Sequence, residues 1–263
     1  MKYRHFVANY IINPPHELSV AVIGCGGTGS QVLTSLGRMN YALRKLGHPG
    51  LQVAAYDADI VTEANCGRQL FSEQEIGRNK AEVLVTKLNM FFGTKWDCIQ
   101  TEYNGNSSTA NIVISCVDTV KARRMIAQRL KEGSLYTQDR VFYWLDFGNT
   151  KDSGQVVLGT AGRKIEQPKD KRGCVPLLPS VNELFDLTKL SDSHGGPSCS
   201  LAEALTHQDL FINSCIANAG MAILWKLFHG VIDIHGAYLN LDTMKMNPIR
   251  VTKEPKDRKE NRK

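Results

Sequence analysis

The chain has 263 residues, 42% hydrophobic and 22% charged, with a formal net charge of +6. These values describe an ordinary globular chain with room for one large α/β domain or two small ones. No apolar run approaches the roughly 18 residues that a membrane span needs, and residues 1–5 do not lead into a secretory apolar core, so a soluble, cytoplasmic protein is expected.

Residues 19–23 are short, apolar and rich in β-branched side chains, and they run into Gly24, Gly26, Gly27 and Gly29. This predicts a buried strand entering a glycine turn. Val32, Leu33, Leu36 and Met39 follow at helical spacing, and residues 51–56 predict a second strand that ends at Asp57 and Asp59. Strand, glycine turn, helix and strand make a βαβ unit. A helix is predicted over 79–91, and a near-continuous apolar strand over 111–117, as buried parallel strands require. A helix over 121–130 and strands over 142–148 and 154–159 come next. Residues 163–200 are rich in Pro, Gly, Lys and Ser and read as an irregular, mobile crossover segment. A long apolar helix is predicted over 210–228, with closing strands over 235–240 and 248–251. The stretch 1–251 is expected to form a single domain. The basic tail 252–263 reads as a frayed terminus; no DNA-binding motif supports a nucleic-acid partner.

The glycine turn lets backbone approach a phosphate closely, and the helix behind it aims amide N–H groups and the positive dipole end at the anion. Alone it fits a nucleotide or a dinucleotide, and a NAD-dependent oxidoreductase remains a competitor. Asp57, at the end of the second strand, can accept hydrogen bonds from ribose hydroxyls in ATP as in NAD. Arg68 and Lys80 can neutralise reacting phosphates, which a NAD site does not require. Asp118 ends a parallel strand, where α/β sheets bind ligands. Beside a triphosphate it would hold Mg²⁺; otherwise it would cap the helix that begins near Thr119.

In order, Gly24-x-Gly26-Gly27-x-Gly29-Ser30, Asp57-x-Asp59, Asn65, Arg68-Gln69, Gly77-x2-Lys80-Ala81 and Ser115-Cys116-Val117-Asp118 resemble the signature of the ThiF/MoeB/ubiquitin-activating superfamily of adenylating enzymes. Residues 197–201 and 208–213 look most like the ThiF-related branch found in bacterial PRTRC cassettes. The resemblance implies a Rossmann-like, mostly parallel sheet with helices on both faces, continued by a mixed or antiparallel C-terminal part. It implies ATP and Mg²⁺, a small ubiquitin-like partner ending in glycine, and a homodimer. Asp57 would bind ribose, Asn65 and Arg68 the phosphates, Lys80 ribose and phosphate, and Asp118 the magnesium; Gly24, Gly26, Gly27, Gly29, Ser30, Asp59 and Gln69 complete the nucleotide site. The two C-x-x-C pairs of MoeB-like members are missing, so no structural zinc is expected. A nucleotide-binding scaffold without transfer chemistry remains an alternative.

A thiolate could take the acyl group as a thioester. Cys199, between small residues ahead of a predicted helix, is the first candidate, and Cys174, with basic neighbours, the second. Cys25, Cys66 and Cys116 lie inside the nucleotide motifs and read as packing residues.

Overall fold

The computed structural model describes residues 2–104, 110–131, 140–169, 172–185 and 201–253. The elements, in chain order, are β1 (His5–Phe6), α1 (Asn9–Ile12), β2 (Leu18–Ile23), α2 (Gly27–Lys45), β3 (Leu51–Tyr56), α3 (Lys80–Phe92), β4 (Asp97–Ile99), β5 (Ile112–Ser115), α4 (Val120–Lys131), β6 (Tyr143–Asn149), β7 (Ser153–Thr160), α5 (Val181–Leu184), α6 (Leu201–His207), α7 (Ile212–Leu227), β8 (Val231–Ile232), β9 (Ile234–Asn240) and β10 (Lys245–Arg250).

Eight strands form one sheet in the order β10-β9-β7-β6-β5-β2-β3-β4. Strands β4, β3, β2, β5 and β6 pair in parallel, and β7, β9 and β10 continue the sheet antiparallel. β1 and β8 form a separate two-stranded ribbon.

The sequence explains the layering. β2 is apolar at consecutive positions because both of its faces are covered. Val20 and Val22 enter the larger core with Val32, Leu33 and Leu36 of α2, and with α3 and α7. Ala21 and Ile23 face the other way, into a second core with Ile126, Ala127 and Leu130 of α4 and Val181 of α5. Helix α7 can lie against the sheet because it carries Gly220: a Cβ there would stand 2.3 Å from the Phe147 ring. Helix α3 starts where the Asn79 side chain accepts the Glu82 N–H and stops at Gly93, whose left-handed φ of 66° ends the helix. Pro248 sits in the edge strand β10, where a missing N–H costs no ladder bond.

The expected mixed sheet is present, with three local differences. β4 is three residues long, too short to show alternation in the sequence. β5 spans Ile112–Ser115 rather than 111–117, although single backbone bonds run on past both ends, from Asn111 N–H to Ser19 and from Cys116 N–H to Ile23. The stretch expected to be mobile is pinned over its first part: Ile165, Val175 and Leu178 are buried, and Val175 N–H donates to the Arg4 carbonyl. Residues 186–200, and the tail from 254, lie outside the described residues.

Candidate active site

From β2 the chain runs outward through β3 and β4, then returns to β5 and β6 on the other side. The order therefore reverses between β2 and β5, and the crevice beyond their carboxyl ends is where open α/β sheets take ligands. The glycine turn follows β2, and Asp118 follows β5.

The four glycines do different work. Gly24 has φ 91°, and a Cβ on it would lie 2.8 Å from the Cys116 carbonyl oxygen, so the turn lies directly on the end of β5. At Gly29 a Cβ would stand 1.9 Å from the Gly24 carbonyl oxygen, which brings α2 tight against its strand. Gly27 faces Asn213 of α7, whose Nδ2 would be 2.5 Å from a Cβ. Only at Gly26 is the space open, with nothing nearer than the Gln69 amide at 3.9 Å. Gly26 is also the N-cap of α2. It offers no side-chain cap, and the first turn of α2 carries no acid. Its uncapped N–H groups and the dipole of a 19-residue helix suit an anion.

Asp57 locks the turn. Its carboxylate accepts the Cys25 N–H at 2.6 Å and the Asp59 N–H at 2.8 Å. Burial nonetheless pushes its pKa above the ordinary carboxylate range, against the pull of those two bonds and of Lys80. Asn79 Nδ2 donates to the backbone carbonyls of Asp57 (2.9 Å) and Asp59 (3.1 Å), and so fixes both acids. Lys80 extends its buried amine to Asp59 Oδ2 at 2.8 Å. Asn65 Oδ1 accepts from the Thr62 N–H and hydroxyl and ties down the short turn Glu63–Asn65. Ser30 is fully buried; its hydroxyl donates to the Gly27 carbonyl and accepts the Leu70 N–H, so it joins the glycine turn to the Arg68 segment.

Arg68 and Gln69 differ from these satisfied groups. Arg68 Nε and Gln69 Oε1 are buried with no hydrogen-bond partner, and burial also lowers the Arg68 pKa. A buried polar atom without a partner costs roughly 1–3 kcal/mol. Beside an open glycine turn, Arg68 Nε is a donor that suits a phosphate oxygen, and Gln69 Oε1 is an acceptor that suits an N–H or O–H; a nucleotide carries both kinds of group.

Asp118 is exposed just past β5. The cap of α4 is Thr119, whose hydroxyl accepts the Ala122 N–H at 3.2 Å. Asp118 is therefore released from capping, and an exposed carboxylate at this place fits an oxygen-seeking divalent cation. Among the described residues no three His, Cys, Asp or Glu cluster as a metal site.

Behind Asp118 lies a network that the sequence did not point to. Asp146 of β6 accepts from Ser115 Oγ (2.5 Å) and Arg123 Nε (3.2 Å), and Trp144 Nε1 donates to Ser115 Oγ at 2.6 Å. Arg123 Nη2 also holds the carbonyls of Val117 (2.6 Å) and Phe147 (2.7 Å). Thr28, Asn149, Gln208 and Asn213 form a second such network beside the glycine turn. An arginine in a helix pattern, or a lone asparagine, carries no sequence signal of this kind; only the fold brings them together.

The cysteines divide by position. Cys25 and Cys116 are held protonated, their thiol pKa values pushed far up by burial. Cys174 pairs with Arg4 in a bridge next to Val175, which bonds His5, and His5 in turn bonds Tyr143 at the start of β6. That is the amino end of the parallel strands, opposite the glycine turn, so both Cys174 and Arg4 stand away from this site. Cys199 lies outside the described residues.

The sheet, its helices on both faces and the glycine turn at its reversal point define a Rossmann-like α/β protein. Residues 15–262 match the ThiF family, and the chain belongs to that family. It is 25% identical over 170 residues to ubiquitin-like modifier-activating enzyme 5 of Oryza sativa subsp. japonica, covering 56% of this chain and 36% of that protein. The protein of the same name from Culex quinquefasciatus is 26% identical over 168 residues, covering 56% and 38%. The chain thus spans little more than a third of the length of these curated relatives. Among solved structures, MccB of E. coli superposes with a TM-score of 0.58 at 16% identity, covering 93% of this chain and 64% of that one. PaaA gives 0.57 at 13% identity, covering 90% and 64%. Among the described residues no helix is long and apolar enough to cross a membrane.

Proposed function

We propose that residues 1–251 form one adenylating domain that activates the C-terminal carboxylate of a small ubiquitin-like protein with ATP and Mg²⁺, working as a homodimer. The observation that supports this most is the pairing of an open, uncapped glycine helix start with the partnerless buried atoms of Arg68 and Gln69, at the sheet's reversal point beside Asp118. The relatives' names favour the same reading, as does the fold shared with MccB, whose structure is known with AMPCPP, an ATP analogue, and MccA.

On this reading, the start of α2 receives ATP phosphates at Gly26, and the Asp57 carboxylate accepts from ribose hydroxyls with the lone pairs its two backbone bonds leave. Lys80 exchanges part of its contact with Asp59 for phosphate. Arg68 turns its free Nε edge toward phosphate oxygen. Asp118 would hold Mg²⁺, which supplies charge neutralisation on the departing pyrophosphate. The protein's contribution is positioning and fixed positive charge around the α-phosphorus as the partner's carboxylate attacks it. The partner's tail has a path: an open groove of about 390 Å³ is lined by Gln155, Tyr238 and Asn247 on the antiparallel half. Gln155 of this wall packs on Gly148, which is also next to Arg123, and Arg123 holds the Val117 carbonyl beside Asp118.

The test is ATP–pyrophosphate exchange with candidate small proteins that end in glycine. Exchange that needs both partner and Mg²⁺ supports the proposal. Tight NAD binding with no exchange for any candidate would sink it.

A further inference from the structure

Arg68 is held from one side only. Its Nη1 donates to Gln208 Oε1, on the turn between α6 and α7, while its Nε has no partner. The same Gln208 oxygen accepts Asn213 Nδ2 at 3.0 Å. Asn213 is 4% exposed, and its Oδ1 accepts from Thr28 Oγ1 (3.0 Å) and from Asn149 Nδ2 (3.1 Å). One asparagine thus bridges the start of α2, the end of β6 and the start of α7. Because Oδ1 takes two donors, the Nδ2 group must face Gln208, and this turns the Gln208 oxygen rather than its nitrogen toward Arg68. A guanidinium pinned at one Nη presents its remaining edge in a fixed direction, as fork-like recognition of phosphate requires.

We propose that Gln208, oriented by Asn213, is a positioning residue for Arg68: it sets the direction from which that guanidinium meets the triphosphate. This rests on the ATP reading above. Neutrality matters to the role. A glutamine anchors Arg68 without competing for its charge, whereas a glutamate of the same shape would pair with the guanidinium and oppose phosphate.

The experiment measures ATP affinity by calorimetry, without partner or turnover, for wild type, Gln208→Ala, Gln208→Glu, Arg68→Ala and the double variants. Gln208→Ala is expected to weaken ATP about tenfold, and Gln208→Glu between about tenfold and a hundredfold, the scale of hydrogen bonds to charged groups. In the Arg68→Ala background, Gln208→Ala is expected to add less than about twofold, because it acts through Arg68. Full additivity there overturns the proposal, as does unchanged affinity in both Gln208 variants while wild type binds. The isosteric glutamate keeps the test open if the alanine variant fails to fold. Wild type that binds no ATP overturns this inference and the functional reading together, whereas binding that ignores Gln208 overturns this one alone.

Discussion

Two buried polar clusters stand at opposite ends of the parallel strands, and they are built on opposite terms. At the amino end the hydrogen-bonded chain through His5 is closed. His5 Nδ1 donates to the Val175 carbonyl at 2.7 Å, leaving Nε2 to accept from the Tyr143 hydroxyl at 2.9 Å, and that hydroxyl takes the Ala8 N–H. At the carboxyl end Arg68 Nε and Gln69 Oε1 are left bare, beside an open glycine turn and an exposed acid. A closed cluster stabilises a fold. An open one costs stability and persists where a ligand completes it. Changes at the first should therefore alter stability, and changes at the second should alter binding.

The largest effect is expected at Asp118. Its side chain is exposed and caps nothing, so Asp118→Ala should leave the melting temperature unchanged. Mg²⁺-dependent exchange should fall by about 10²–10³-fold, the usual scale for removing a group that stabilises developing charge. A variant that keeps wild-type exchange would take Asp118 out of the site.

Within the glycine turn the two kinds of effect can be separated at neighbouring positions. Gly29→Ala would drive a methyl to 1.9 Å from the Gly24 carbonyl, backbone that cannot give way. It should cost at least about 3 kcal/mol by chemical denaturation, the upper end for overpacking. Gly26→Ala meets no protein atom nearer than 3.9 Å and should change stability by less than about 1 kcal/mol, while ATP affinity drops. If Gly26→Ala binds ATP normally, the open space is not the phosphate seat.

The closed cluster makes a prediction in pH. Burial, reinforced by the nearby His235, lowers the His5 pKa from 6.5 to about 4. The unfolded chain therefore takes up this proton first. The contribution of neutral His5 is complete above pH 6.5, is lost as pH falls from 6.5 towards 4, and is gone below. The window corresponds to a loss on the order of 3 kcal/mol. Comparing wild type with His5→Phe between pH 7 and 4 isolates it, since His235, Asp57 and Asp146 titrate in both proteins. Parallel stability curves would mean that His5 titrates alike in the folded and the unfolded chain.

Much of this was legible in the sequence, because it rests on local pattern. β2, β3, β6 and β7 announce themselves by apolar, β-branched runs, and the glycine turn by its spacing. Asp57, Arg68, Lys80 and Asp118 each close or follow such an element, so their neighbourhood could be anticipated. What could not be read was long-range pairing. Asn213 and Thr28 are 185 positions apart, and Arg68 and Gln208 are 140 apart. The tie of residues 163–185 to the N-terminus depends on Arg4 and Val175 meeting across 171 positions, which no local pattern encodes. The distinct jobs of the four glycines were equally hidden, since each depends on which distant atom lies opposite.

The smallest effect, at Thr28, tests where the two clusters' rules meet. Thr28 is buried in the open site, yet its hydroxyl belongs to a satisfied bond with Asn213 Oδ1. Thr28→Val keeps the shape and removes one donor. Asn213 Oδ1 still receives Asn149, so no acceptor is orphaned, and the cost should be only about 1 kcal/mol in a urea titration. ATP affinity should shift less than in Gln208→Glu, because Asn213 keeps two of its three anchors. A loss well beyond this range would mean that Asn213 turns when Thr28 lets go, and that the hub is held chiefly from α2 rather than from the sheet.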